Sequence, residues 1–182
     1  MALPTLETER LLLKPLVAGD AVPIQRLYPR WEIVRYMVSS VPWPYPENGA
    51  ENYVNNVALP DMEKGIAWFW SIRRRETPDE LMGIICLYDV EDNNRGFWLA
   101  PEYQGRGYMR EASIAATDYW FNTLNKPVLR APKAACNSRS RRISASSGMR
   151  LIRTEKKAYV SGLLDSELWE ITREEWNARH VS

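Results

Sequence analysis

The residues with the clearest chemical use stand in a short segment rich in glycine. Gly105 and Gly107 allow the backbone to turn with positive φ and leave no side chains in the way of a ligand. The alanine-rich run that follows predicts a helix whose first N–H groups have no partner within the helix. Such N–H groups, at the positive end of the helix dipole, bind phosphate well. We therefore predict an anion site, or else a turn that merely joins strand and helix, at Gln104, Gly105, Arg106, Gly107, Tyr108 and Met109.

The hydrophobic periodicity predicts the elements that must position this turn. Residues 96–100 form the strand before it, residues 109–124 the helix after it and residues 128–135 the next strand, a crossover that requires parallel pairing. Turn residues between the aromatic and β-branched runs at 67–73, 81–88 and 96–100 predict an antiparallel meander. Further strands are predicted at 9–16, 151–160 and 164–172, and further helices at 21–28, 30–37, 47–59 and 138–147. The expected fold class is α+β, a mixed and mostly antiparallel sheet of about seven strands flanked by helices.

A second segment, Asn137-Ser-Arg-Ser-Arg-Arg-Ile-Ser-Ala-Ser-Ser-Gly-Met149, gives the glycine segment a family context. In the same order, the two segments resemble the Gln/Arg-x-x-Gly-x-Gly/Ala and Asn-x-x-Ser…Gly-Phe motifs of the GCN5-related N-acetyltransferase (GNAT) family, in the branch that acetylates ribosomal proteins. Residues 6–16, 43–46 and 169–176 look like the same branch, so the resemblance covers nearly all of residues 1–182, expected to be one domain. Met109 stands where the family usually has Gly or Ala, and its side chain is expected to narrow the cofactor channel or displace the helix.

The resemblance implies a reaction and roles for several residues. It implies direct transfer of an acetyl group from acetyl-CoA to an amine, without a metal, in a gap where the parallel strand pair splays apart at the glycine turn. The N–H groups near Leu99 are expected to hold the carbonyl oxygen, Ser140 to protonate the leaving thiolate and Asn137 to orient the cofactor. The alternative for Ser140 is a helix cap. Pro132 fits an unpaired strand edge, since it lacks a donor.

A basic cluster provides candidates for the cofactor phosphates. We predict that Arg142 meets the pyrophosphate or the 3′-phosphate, and the alternative is a solvated helix face. The cluster consists of Arg139, Arg141, Arg142, Arg150 and Arg153.

The general base is less well defined by the sequence. A water chain with Glu102 is preferred, with Asp89 and Glu91 as alternatives, and an amine bound with a lowered pKa needs no strong base. The lone histidine, His180, stands in the tail, where no role is expected.

Aromatic residues suggest an acceptor pocket. Trp43, Tyr45 and Trp70 are predicted to contact the amine substrate, and Trp68 shares a strand face with Trp70 by the period-two rule. Core packing is the alternative for at least one of the two strand tryptophans. An exposed aromatic patch would equally suit the surface of a homodimer.

Composition limits the other partners. A net charge of +1 over 182 residues gives no reason to expect nucleic acid or an acidic membrane. The absence of a signal-like N-terminus and of a long apolar run predicts a cytoplasmic protein. Cys86 and Cys136 lack metal-ligand spacing and are expected to be reduced, and a covalent role for Cys136 is a minor alternative.

The sequence is compatible with three functions. The first is N-acetylation of the α-amine at a protein N-terminus, such as that of a ribosomal protein. The second is acetylation of a small amine, for example an amino acid, a polyamine or an antibiotic. The third is a non-catalytic module that senses acyl-CoA, and measurable turnover would exclude it.

Overall fold

The strands of the chain form two sheets rather than one. The computed structural model describes residues 2–179, and in that part every strand ladder is antiparallel. The first sheet has the order β1-β2-β3-β4-β5 and the second the order β6-β8-β7. The strands are β1 (Leu6–Glu7), β2 (Leu11–Pro15), β3 (Ala67–Arg74), β4 (Thr77–Tyr88), β5 (Arg95–Leu99), β6 (Val128–Ala134), β7 (Arg150–Tyr159) and β8 (Gly162–Thr172). The α+β class predicted from the sequence is confirmed.

The two sheets meet where β5 lies beside β6. The Asn94 N–H donates to the Arg130 carbonyl at 2.8 Å, and the Arg130 N–H donates to Asn94 Oδ1 at 2.8 Å. Further along, towards Leu99 and Ala134, the described residues show no pairing between the two strands. The predicted splay is therefore wide enough to divide the sheet, and the gap opens at the end of β5 that leads into the glycine turn.

The helices cover both faces of the first sheet. They are α1 (Ala21–Leu27), α2 (Trp31–Val34), α3 (Gly49–Tyr53), α4 (Leu59–Glu63), α5 (Tyr108–Asn122), α6 (Ser138–Ser146) and α7 (Arg173–Arg179). Helix α5 packs on one face, where Ala112 and Ala116 are fully buried and their small side chains let the helix approach the strands. Helices α1 to α4 pack on the other face, against Phe69 and Ile84.

Two helical features differ from the sequence-based prediction. The helix predicted at 47–59 extends to Glu63 and contains a π-helical turn at Val54–Ala58. Helix α7 was not predicted, although its start has a signature: the Glu175 N–H donates to Thr172 Oγ1 at 3.2 Å, and the Thr172 N–H donates to Glu175 Oε2 at 2.9 Å. This reciprocal pair is a capping box. None of the helices within residues 2–179 is long and apolar enough to cross a membrane.

Candidate active site

The glycine turn has the backbone that the sequence predicts. Gly105 and Gly107 have φ of 79° and 80°, in the left-handed region that side chains other than hydrogen disfavour. Gly107 is the N-cap of α5. A Cβ atom on Gly105 would meet no atom within 4 Å, so the backbone there is open to an approaching ligand.

The amides of this turn are available to an anion. The N–H groups of residues 105–110 have no hydrogen-bond acceptor among the residues that the structure describes. They stand at the positive end of α5, which is 15 residues long. The turn therefore has the donors and the open backbone that a pyrophosphate group requires.

Residues from the start of the chain hold the turn from outside. Arg10 donates through Nη1 to the Arg106 carbonyl at 2.9 Å and through Nε to Glu111 Oε1 at 2.8 Å. The other oxygen of Glu111 accepts from the Arg10 N–H at 2.9 Å and from Thr8 Oγ1 at 2.5 Å. Sequence reasoning missed this support because about 100 residues separate the partners. The turn is thus fixed to the first sheet before any ligand binds.

Gln104 has a positioning role in the structure. Its Nε2 donates to the Leu99 carbonyl at 2.8 Å, and Arg139 donates to its Oε1. Both ends of the amide are occupied by protein groups, so the side chain links β5, the turn and α6. The Gln104 N–H is engaged as well, since it donates to the Pro101 carbonyl at 3.1 Å. The cofactor contact predicted for Gln104 therefore has no free backbone donor.

The two strand edges that face the gap can be assigned from the register. The Ala100 N–H donates to the Met82 carbonyl of β4, so the N–H of Leu99 points the other way, into the gap. Just after β6, the Ala135 N–H donates to the Asp165 carbonyl at 2.8 Å, on the side of β8. Because backbone groups point alternately to the two sides of a strand, those of Pro132 and Ala134 point away from β8, into the gap. Pro132 therefore costs the β6–β8 ladder no hydrogen bond, as expected for a proline at an open edge.

Met109 does not enter the gap. Its side chain is only 8% exposed and packs in the core between α5 and the first sheet. The expectation that Met109 narrows the cofactor channel is therefore wrong. Because the residue lies in the first turn of α5, its side chain can face the sheet while its N–H points to the ligand side.

Asn137 and Ser140 lie together at the start of α6. Asn137 Oδ1 accepts the Ser140 N–H at 3.4 Å, so the amide side chain caps the helix, and this use competes with orienting a cofactor. Ser140 is buried. Among residues 2–179 its hydroxyl has no protein hydrogen-bond partner, which leaves it able to donate to a ligand.

The carboxylates considered as bases are not placed for that role. Glu102 pairs with Arg30 at 2.5 and 3.1 Å, and the guanidinium lowers the pKa of Glu102, which makes it a weaker base. Asp89 pairs with Lys126 and, like Glu91, lies before β5, at the end of the strand opposite to the glycine turn. His180 lies outside the described residues.

The arginines divide into paired and available groups. Arg141, Arg150 and Arg153 form ion pairs with carboxylates, while Arg142 makes a single long contact of 3.4 Å with the Ser138 carbonyl. Two arginines that sequence reasoning missed, Arg110 and Arg179, line a cavity of about 390 Å³ between α5, α6 and α7. Arg179 was missed because α7, the helix that carries it, was not predicted.

The aromatic candidates lie on the two opposite faces of the first sheet. Trp43 is 41% exposed, with its ring centroid 5.6 Å from that of Trp31, and Tyr45 packs edge-on against Tyr28 at 5.2 Å. These residues lie on the face covered by α1 to α4, opposite to α5.

Trp70 is not a surface residue. It is fully buried against α5, where its Nε1 donates to the Pro4 carbonyl at 2.9 Å and its ring meets Tyr119 edge-on. The prediction that Trp70 contacts the substrate is therefore wrong, since a large apolar side chain on the inner strand face is buried first. Trp68 has the same orientation and packs against Trp120.

Comparison with known proteins agrees with this geometry. Residues 10–150 match the model of the acetyltransferase (GNAT) domain, and the chain belongs to this family. It is 29% identical over 178 residues to the uncharacterized N-acetyltransferase YnaD of Bacillus subtilis (strain 168), which covers 93% of this chain and 98% of that protein.

Solved structures show the same fold. The ribosomal-protein-S5-alanine acetyltransferase from Vibrio fischeri superposes with a TM-score of 0.80, covering 95% of this chain and 98% of that one at 18% identity. RimL, a ribosomal L7/L12 α-N-protein acetyltransferase in complex with coenzyme A, gives 0.79, covering 93% and 98% at 14% identity. The protein is thus an acyltransferase of the N-acetyltransferase type, and GNAT acetyltransferases take the acetyl group from acetyl-CoA.

Proposed function

We propose that this chain transfers an acetyl group from acetyl-CoA to a primary amine, most directly the α-amine at the N-terminus of a protein such as a ribosomal protein. The observation that carries the proposal is a pair of free donor sites beside one gap: the N–H groups of residues 105–110 at the glycine turn and the Leu99 N–H on the open edge of β5. The ribosomal acceptor is supported by the fold shared with the two ribosomal-protein acetyltransferases, whose sequences are distant.

The cofactor would bind to both donor sites and span the gap between them. The amides of residues 105–110 hold the pyrophosphate, and the edges of β5 and β6 pair with the pantetheine arm in the gap. Arg110 and Arg179 line the cavity between α5, α6 and α7, and Arg142 belongs to α6. These three arginines would meet the nucleotide phosphates. The acetyl carbonyl would then accept a hydrogen bond from the Leu99 N–H.

The reaction needs a neutral amine, a stabilised oxyanion and a proton for the departing thiolate. The Leu99 N–H serves the oxyanion and the Ser140 hydroxyl the thiolate. The Arg30 pair removes Glu102 from consideration as a strong base, so the amine proton leaves through water. The acceptor approaches from the face that carries Trp43 and Tyr45, because α5 and α6 close the other face.

Calorimetric titration with acetyl-CoA, with ATP and NADH as controls, tests the cofactor assignment. Selective micromolar binding is expected, and its absence would overturn the proposal. An acceptor screen follows, in which release of free coenzyme A is measured with N-terminal peptides of ribosomal proteins and with small amines. Faster release with peptides supports the protein acceptor, faster release with small amines replaces it, and tight binding without any turnover would leave only a sensor.

A further inference from the structure

Lys133 is a buried lysine in one of the two strands that border the gap. It stands between Pro132 and Ala134, whose backbone edges face the opening, and its own side chain is only 6% exposed. The residue opposite on β8 is Glu167, on the same side of the sheet. Helix α6 covers this side, since Arg141 reaches Glu167 at 2.7 Å.

The surroundings of Lys133 contain more positive than negative charge. Glu167, on β8, is already engaged by Arg141 of α6 and by the Trp169 indole N–H at 3.2 Å. On β5, the buried Arg95 donates to Thr117 at 2.9 Å, and no acceptor for its Nε exists among the described residues. Three cations thus share one buried carboxylate, and of the three only Arg141 reaches solvent, while Lys133 and Arg95 are buried.

Of these cations, only the lysine can readily lose its charge. Burial lowers the pKa of Lys133 well below its usual range, the Arg95 charge lowers it further, and Glu167 opposes both with a smaller effect. Arg95 remains protonated, although burial lowers its pKa to about 10. A neutral lysine amine is a nucleophile, in contrast to the ammonium form that exposed lysines keep at neutral pH.

The other lysines of the chain have no comparable environment. Lys64, Lys126 and Lys156 each form an ion pair with an aspartate, and all of them contact solvent. Lys14 and Lys157 are also partly exposed. Buried position, excess positive charge and proximity to the gap coincide at Lys133 alone among the residues described.

We propose that Lys133 is an internal acyl acceptor, whose Nζ takes the acetyl group from acetyl-CoA bound in the gap between β5 and β6. The nitrogen lone pair forms a bond to the thioester carbon, and the carbon–sulfur bond breaks. The thiolate takes up the proton that the nitrogen loses. The products are Nζ-acetyllysine and free coenzyme A. This inference rests on the proposed function, because it needs acetyl-CoA in the gap.

The test is incubation of the full-length protein with acetyl-CoA and no acceptor, followed by intact-mass measurement and peptide mapping. One acetyl group is expected, located on Lys133, at a rate at least about tenfold above that of Lys126, which is ion-paired with Asp89 and lies away from the glycine turn. Between pH 7 and pH 9 the rate at Lys133 is expected to rise by less than tenfold per pH unit, because its lowered pKa leaves more of the amine neutral than in an ordinary lysine.

The controls separate this proposal from the cofactor assignment. Lys133→Arg is expected to abolish the modification and Lys126→Arg to leave it unchanged, and the mapping of the unmutated protein stands even if Lys133→Arg fails to fold. Calorimetric binding of acetyl-CoA with Lys133 unmodified, or modified no faster than Lys126, would refute the internal acceptor alone. No binding of acetyl-CoA would refute the proposed function and this inference together.

Discussion

The anion site at the glycine turn can be tested by placing a negative charge in it. Gly107→Glu forces a side chain into the left-handed region at φ 80°, which costs roughly 1–2 kcal/mol. For a chain of this size that cost lowers Tm by about 2–8 °C. In addition, a carboxylate about 5 Å from one phosphate charge repels it by roughly 1–3 kcal/mol, between the limits of water and of a protein surface. The Kd for acetyl-CoA should rise by roughly 5- to 150-fold.

The chain offers a matched control for the backbone strain. Gly65 has φ of 71° and precedes β3 at the end of the sheet opposite to the glycine turn. A Cβ on Gly65 would meet no atom within 4 Å, and a Cβ on Gly107 would meet only Arg10 Nη2, at 3.3 Å, which is the end of a flexible side chain. Gly65→Glu should lose a similar amount of stability and bind acetyl-CoA normally. Thermal unfolding and calorimetry measure the two effects separately. Unchanged affinity in Gly107→Glu, or equal loss of affinity in both variants, would refute the assignment of the turn as a phosphate site.

Four further variants test separate parts of the structure. Ser140→Ala should lower kcat while the Kd for acetyl-CoA stays constant, and an unchanged kcat would limit Ser140 to packing in α6. Trp70→Ala should lower the free energy of unfolding, measured in urea, by roughly 3–5 kcal/mol, because it leaves a cavity and a Pro4 carbonyl without its donor. Trp43→Ala should change the free energy of unfolding by less than about 0.5 kcal/mol and should raise the KM of the acceptor. Lys133→Met should raise Tm at neutral pH. Because the pKa of Lys133 is lowered in the folded protein, the unfolded state binds one more proton at neutral pH. The gain in Tm should therefore shrink as the pH approaches 10.5. A gain in Tm that does not depend on pH would contradict a buried neutral lysine.

Local sequence signals were sufficient for the glycine turn and the strands beside it. Positive φ at Gly105 and Gly107 follows from the residue type, since only glycine adopts this conformation without strain. The meander also follows from alternation and turn residues, which act over a few positions. Helix α7 could have been found in the same way, because Thr172 and Glu175 carry a capping-box spacing.

Side-chain roles were predicted less well, because they depend on contacts between distant segments. Nothing near Glu102 in the sequence shows that Arg30 neutralises it, and nothing near Gln104 shows that Leu99 and Arg139 occupy its amide. Trp70 was assigned to the wrong environment because periodicity defines two strand faces without saying which of them is covered by α5.

The sequence by itself determined the family, the α+β class and the place and backbone conformation of the glycine turn, since these depend on residue types at fixed local spacing. Only the tertiary structure decided which groups are free to act. It left the Leu99 N–H and the Ser140 hydroxyl available, engaged Glu102 and Gln104, and buried Lys133 beside Arg95. The physical reason is that burial and pairing set whether a polar group is charged, neutral or already bonded, and both arise from residues far apart in the chain.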